Sequence, residues 1–205
     1  YSPDCPNKPP FDPAFVAHFR AAQLARNRRI SNWALEMLDK LKRSPQGDRE
    51  RGFVVHRTMC DVRWIDPTID PNGRKPGWCY LGDPRVVNSG PVGLARFSTL
   101  RSWLSQWSYD HSNIKGPVNA ARIRRVPVLQ IENEADDAVP ATHNPIIHKA
   151  LGTPDKEFVQ IHGATHYYLG QPKQLAECIS TIIDWTRRKI TPDFAVSSAA
   201  PVEAK

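Results

Sequence analysis

Val126-Pro127-Val128-Leu129-Gln130-Ile131-Glu132-Asn133-Glu134-Ala135-Asp136-Asp137-Ala138-Val139-Pro140 is the stretch whose reading decides the fold. A short run with little polarity, over 127–132, reads as a strand buried on both faces. It leads straight into a cluster of acids. A helix over about 142–151 follows, ending near Gly152. A second strand-like run covers 156–162, and a loop comes next: Gly163-Ala164-Thr165-His166-Tyr167-Tyr168. The order is therefore strand, acid, helix, strand, histidine. Alternation of strands with helices predicts an α/β class and parallel pairing.

The chemistry of that order is specific. A histidine on a loop can take a proton from a hydroxyl and return it to a leaving group. An acid near it holds the imidazole in one tautomer and stabilises the imidazolium. His166 is the candidate base. Asp136 or Asp137 is the candidate acid, the other then being a turn residue or helix cap. Glu132 and Glu134 are weaker alternatives that read as solvent-exposed turn charge.

Working outward, 171–189 reads as an amphipathic helix with Leu175, Cys178, Ile179, Ile182, Ile183 and Trp185 on its apolar stripe. The segment 191–205 is small, polar and Pro-containing, and is expected to be a flexible tail. Upstream, 1–11 is a Pro-rich arm. Asp12-Pro13 is a helix start, with Asp as N-cap and Pro at the first helical position. One or two helices are expected over 13–42, a strand or extended connection over 53–60, and mostly loop over 61–97. Ser98 is expected to cap a short helix carrying Leu100, Trp103, Leu104 and Trp107 on one face. The aspartates within 61–70, Asp61, Asp66 and Asp70, read as turn chemistry rather than a metal site. Two parallel strands alone cannot shield both faces and both edges, so this part is expected to need further sheet.

Composition bounds the class. The chain has 205 residues, 24% charged and 40% apolar, which is globular. No apolar run reaches the ~18 residues of a membrane span. Tyr1-Ser2-Pro3-Asp4 opens neither a basic nor an apolar signal region, so no signal peptide is read there. Cys5, Cys60, Cys79 and Cys178 lack Cys-x-x-Cys spacing, which argues against zinc and fits reduced thiols in a cytoplasmic protein. No cofactor is expected. The net charge of +7 comes from short scattered groups without a nucleic-acid-binding motif. It fits a basic half that docks on an acidic one.

The stretch 123–189 resembles the C-terminal end of the α/β-hydrolase superfamily, in which the chain order is nucleophile, acid, histidine. Asn133-Glu134-Ala135-Asp136-Asp137-Ala138-Val139-Pro140 aligns with a Gly-x-x-Asp-x-x-Val-Pro pattern, with Asn133 in place of the Gly. The resemblance thus favours Asp136 as the acid, with Asp137 a turn residue or helix cap. The segment 10–115 resembles the cap region of a group of bacterial α/β-hydrolases through Pro10-Phe11-Asp12-Pro13, Arg20-Ala21-Ala22-Gln23, His56-Arg57-Thr58, Gly82-Asp83-Pro84 and Thr99-Leu100-Arg101-Ser102-Trp103. The resemblance implies a largely helical cap or lid over 1–120 and a core portion over 121–190. The loop 61–97 would be a gate, and Tyr167, Trp78, Tyr80, Trp103 and Trp107 would be pocket residues. It implies a serine hydrolase acting on an ester or related acyl bond. The required Gly-x-Ser-x-Gly elbow is absent, and Ser89, Cys60 and Cys79 are poor substitutes. The nucleophile and oxyanion hole are therefore expected on an N-terminal partner half, a separate chain or a processed segment. Acyl transfer, dehalogenation, carbon–carbon hydrolysis and an inert binding subunit are the alternatives.

Overall fold

The computed structural model describes residues 4–47, 49–59 and 61–189. The expected tail over 191–205 lies outside these, as does Cys60. The architecture is mixed α/β, in two parts.

The N-terminal part is organised by α1 (Pro13–Lys42), one unbroken helix rather than two. Asp12 caps it as the sequence predicts, with Oδ1 accepting the Ala14 N–H at 2.7 Å. A short antiparallel pair, β1 (Gly52–Val54) and β2 (Phe97–Thr99), packs beside α1. Ala34, Val55, Leu100 and Trp103 form the core here, with Trp33, Leu38 and Phe53 around them. After β2 the chain turns into α3 (Leu100–Ser102) and then widens to a π-type turn over Trp103–Trp107. Ser98 belongs to β2. The cap is Thr99, whose side chain and that of Ser102 bond each other's backbone N–H. Trp103 is thereby turned inward, its Nε1 donating to Ser31 Oγ at 3.1 Å.

The loop between β1 and β2 is not free chain. It contains a one-turn helix over Val62–Trp64 and α2 (Pro84–Ser89). Arg74 is buried and donates to the carbonyls of Arg63, Ile69 and Asp70. Burial alone would raise the Asp66 carboxyl, but bonds from Thr68 and the Phe11 N–H hold it below its ordinary value. Asp61 caps the one-turn helix and Asp70 receives Thr142, so these acids do act as turn and bracing residues. This part is thus a helix, a small sheet and a braced loop, less helical than expected. A gate here would have to break those bonds.

After the short α4 (Gly116–Ala120), the C-terminal part follows the predicted order. It comprises β3 (Val128–Asn133), α5 (His143–Ala150), β4 (Lys156–Ile161) and α6 (Pro172–Lys189). β3 and β4 pair in parallel, Val128 opposite Lys156 and Asn133 opposite Ile161. Gly152 lets the turn after α5 approach α4: a Cβ there would stand 2.4 Å from the Ala121 carbonyl oxygen. Each strand has a partner on one side only among the described residues. On α6, Leu175, Ile179, Ile182 and Ile183 are each 43–47% exposed, and no residue of the helix is buried. No described helix is long and apolar enough to cross a membrane.

Candidate active site

The acid loop leaves the C-terminal end of β3 and the histidine loop leaves the C-terminal end of β4. Parallel pairing therefore sets them side by side. Asp136 Oδ2 lies 3.2 Å from His166 Nδ1. The other oxygen, Oδ1, accepts the N–H groups of Ala138 and Val139 at 2.7 and 2.8 Å. These bonds fix the carboxylate's orientation, so it can hold the proton of the imidazole on Nδ1. Among the described residues nothing hydrogen-bonds His166 Nε2. The imidazole is 32% exposed while the Asp136 side chain is 10% exposed, so the pair is screened on the acid's side and open on the base's.

Asp137 has a different task. Its Oδ1 accepts the His166 backbone N–H at 3.4 Å, and its carbonyl accepts the Tyr80 N–H at 3.0 Å. Burial pushes its carboxyl above the ordinary value, and the neighbouring Asp136 charge adds to that. Asp136 faces the ring and Asp137 faces the main chain. Glu132 is buried, contrary to the surface reading, and accepts from Asn144 and Gln160. Glu134 accepts the Gly163 N–H. Neither bonds the imidazole.

Asn133 links the two loops. Its Nδ2 donates to the Thr165 carbonyl at 3.1 Å, and its Oδ1 accepts the Tyr168 hydroxyl. Tyr168 sits at φ +54°, a left-handed conformation that costs a non-glycine residue about 1–3 kcal/mol unless its surroundings hold it. Burial first, then Cys178, raises the Tyr168 hydroxyl to about 12, so it remains a donor at neutral pH. Gln171 ties the loop further, accepting from Thr165 and donating to the Gly163 carbonyl at 2.7 Å. Sequence reasoning noted Asn133 only as a departure from Gly; its pairing with Tyr168 across 35 residues leaves no local signal.

The N-terminal part reaches this site through the braced loop. Asn72 Nδ2 donates to the Asp136 carbonyl at 2.9 Å, and the Gly73 N–H donates to the Glu134 carbonyl. Tyr80 and Tyr167 flank the imidazole, with ring centroids 5.7 and 4.7 Å from it. A cavity of about 270 Å³ lies beside the pair, lined by Asn133, Val139, Tyr168 and Cys178 among others. The remaining predicted pocket residues lie elsewhere. Trp103 is core against α1, Trp107 lies on the same side, and Trp78 carries the Lys75 ammonium 4.2 Å over its ring. The physical reason is the wide turn after α3, which directs both later tryptophans toward α1.

Ser89 closes α2, is exposed and makes no bond to His166. Cys79 is fully buried, its thiol raised by burial and donating to the Gly82 carbonyl. The three described cysteines, Cys5, Cys79 and Cys178, are free thiols. No group of acids, histidines and cysteines among the described residues could hold a metal ion. Comparison with family models, with curated proteins and with solved structures returned no match to this chain.

Proposed function

We propose that this chain is the acid-and-base half of an α/β-hydrolase-type serine hydrolase acting on an ester or related acyl bond. His166 removes the proton from a serine hydroxyl as the oxygen attacks the carbonyl carbon. It then gives that proton to the leaving oxygen. Asp136 keeps Nδ1 protonated and stabilises the imidazolium. The serine and the backbone donors for the oxyanion come from an N-terminal partner half. The observation that carries the reading is the 3.2 Å contact of Asp136 with His166 at the C-terminal ends of adjacent parallel strands. The half-exposed stripe of α6 and the open edge of β3 support the need for a partner.

The test is intact-mass analysis of the native assembly before and after a fluorophosphonate. A second polypeptide should gain the probe, and His166→Ala in this chain should abolish that gain together with ester turnover. Near-normal turnover in the His166→Ala assembly would overturn the proposal. So would an active assembly in which no polypeptide takes the probe.

A further inference from the structure

A cavity of about 580 Å³ lies between α1 and the loop that runs into β2, and it shares no lining residue with the His166 cavity. Its size suits a small organic ligand, since such sites run from about 300 to 1,000 Å³. Two kinds of residue define its chemistry. Phe19, Trp103 and Trp107 give it flat apolar walls. Arg26, Arg29 and Arg57 give it charge, and no Asp or Glu is among its described lining residues.

The lack of a counter-charge is local. Arg28, one position along α1, is paired with Asp110 at 2.9 Å. Arg26 donates to a carbonyl, that of His56, and none of the three lining arginines has an ion pair among the described residues. Arg57 stands at φ +55°, a conformation an arginine rarely adopts. Two more polar atoms at the wall, Thr58 Oγ1 and Asn88 Oδ1, are buried without a hydrogen-bond partner. Arg96, only 6% exposed, lies behind Asn88, donating Nη2 to its carbonyl while Nε and Nη1 stay unpartnered. Buried donors left without partners are costly, and Thr58 Oγ1 and the Arg96 guanidinium add donor capacity in and behind this wall, whereas Asn88 Oδ1, an acceptor, does not itself favour an anion.

We propose that this cavity binds a flat, aromatic monocarboxylate. The ring lies against Trp107 and Phe19 over the Trp103 floor. The carboxylate is held by the guanidinium groups, whose planar forks match two oxygens. A bare inorganic anion would leave the aromatic walls unused, and a neutral arene would leave the arginines unpaired. The site is independent of the hydrolase reading.

Calorimetric titration of the native assembly with 2-naphthoate tests it, with 2-naphthamide and inorganic phosphate as controls. Saturable binding at one site per chain is expected. The amide should bind at least about tenfold more weakly, because it forfeits the charge-assisted bonds. Arg57→Gln and Arg29→Gln should each weaken naphthoate by a similar factor, and both positions are exposed enough to leave the fold intact. Trp107→Ala should weaken it as well, and His166→Ala should leave it unchanged. Equal affinity for the amide, displacement by phosphate alone, or loss of binding in His166→Ala but not Arg57→Gln would each overturn the proposal. No saturable binding would also overturn it, and is the result expected if an acidic side chain of a partner fills the cavity instead.

Discussion

Asp136 and Asp137 are adjacent, yet they act on different atoms of one histidine, and their substitutions should separate. On the proposed reading, Asp136→Asn leaves the loop in place but offers Nδ1 the wrong hydrogen-bond partner. A kcat fall of about 10³–10⁴-fold is expected in the assembled enzyme, with KM little changed. Steady-state kinetics check it. Asp137 is a matter of stability. Its native carboxyl is held above the 3.8 of the free side chain, so the folded state favours the protonated form. Its contribution is therefore greatest at pH values below 3.8 and is lost as pH rises through the raised native value. Asp137→Asn keeps an oxygen for the His166 N–H without the buried charge. Its Tm should match wild type below pH 3.8 and exceed it increasingly as pH rises toward and through the raised native value. Thermal melts across that range would refute this if the gap stayed flat or reversed.

At the scale of elements, two contacts carry more than their size suggests. The Tyr168 hydroxyl to Asn133 bond holds a left-handed residue two positions after His166. Tyr168→Phe should cost about 1 kcal/mol or somewhat more. On the proposed reading it should also lower kcat more than it raises KM, because His166 is less well placed. Gly152→Ala would drive a methyl group against the Ala121 carbonyl, so α4 and the turn after α5 must part. A loss of about 1–3 kcal/mol is expected, read as a Tm fall of about 2–4 °C per kcal/mol for a chain of this size. The strand–acid–helix–strand–histidine order was legible because hydrophobic period and chain order are local properties. The strand over 127–132 and the helix over 171–189 were each within a residue of their final bounds. The wide turn at Trp103–Trp107 was not legible, since a helical stripe of tryptophans looks the same whether the helix continues or opens. The burial of Glu132 was not legible for a related reason: its partners Asn144 and Gln160 lie 12 and 28 residues away.

For the whole molecule, the energetics point outward. Among the described residues the parallel pair has two open edges, and α6 carries an apolar stripe of four half-exposed residues. Purified without a partner, the chain is expected to bind an apolar dye such as ANS and to self-associate with rising concentration. Light scattering and dye fluorescence measure both, and a clean monomer that ignores the dye would count against the need for a second half. The cross-brace from Asn133 to Thr165 and Tyr168 has a kinetic corollary. It aligns imidazole and carboxylate inside one polypeptide, so docking has a single new distance to establish, from Nε2 to the incoming hydroxyl. On the proposed reading, activity titrated against added partner should rise along a simple hyperbola from the first increment, without lag or sigmoid, as for a two-component reagent of which one component arrives already primed.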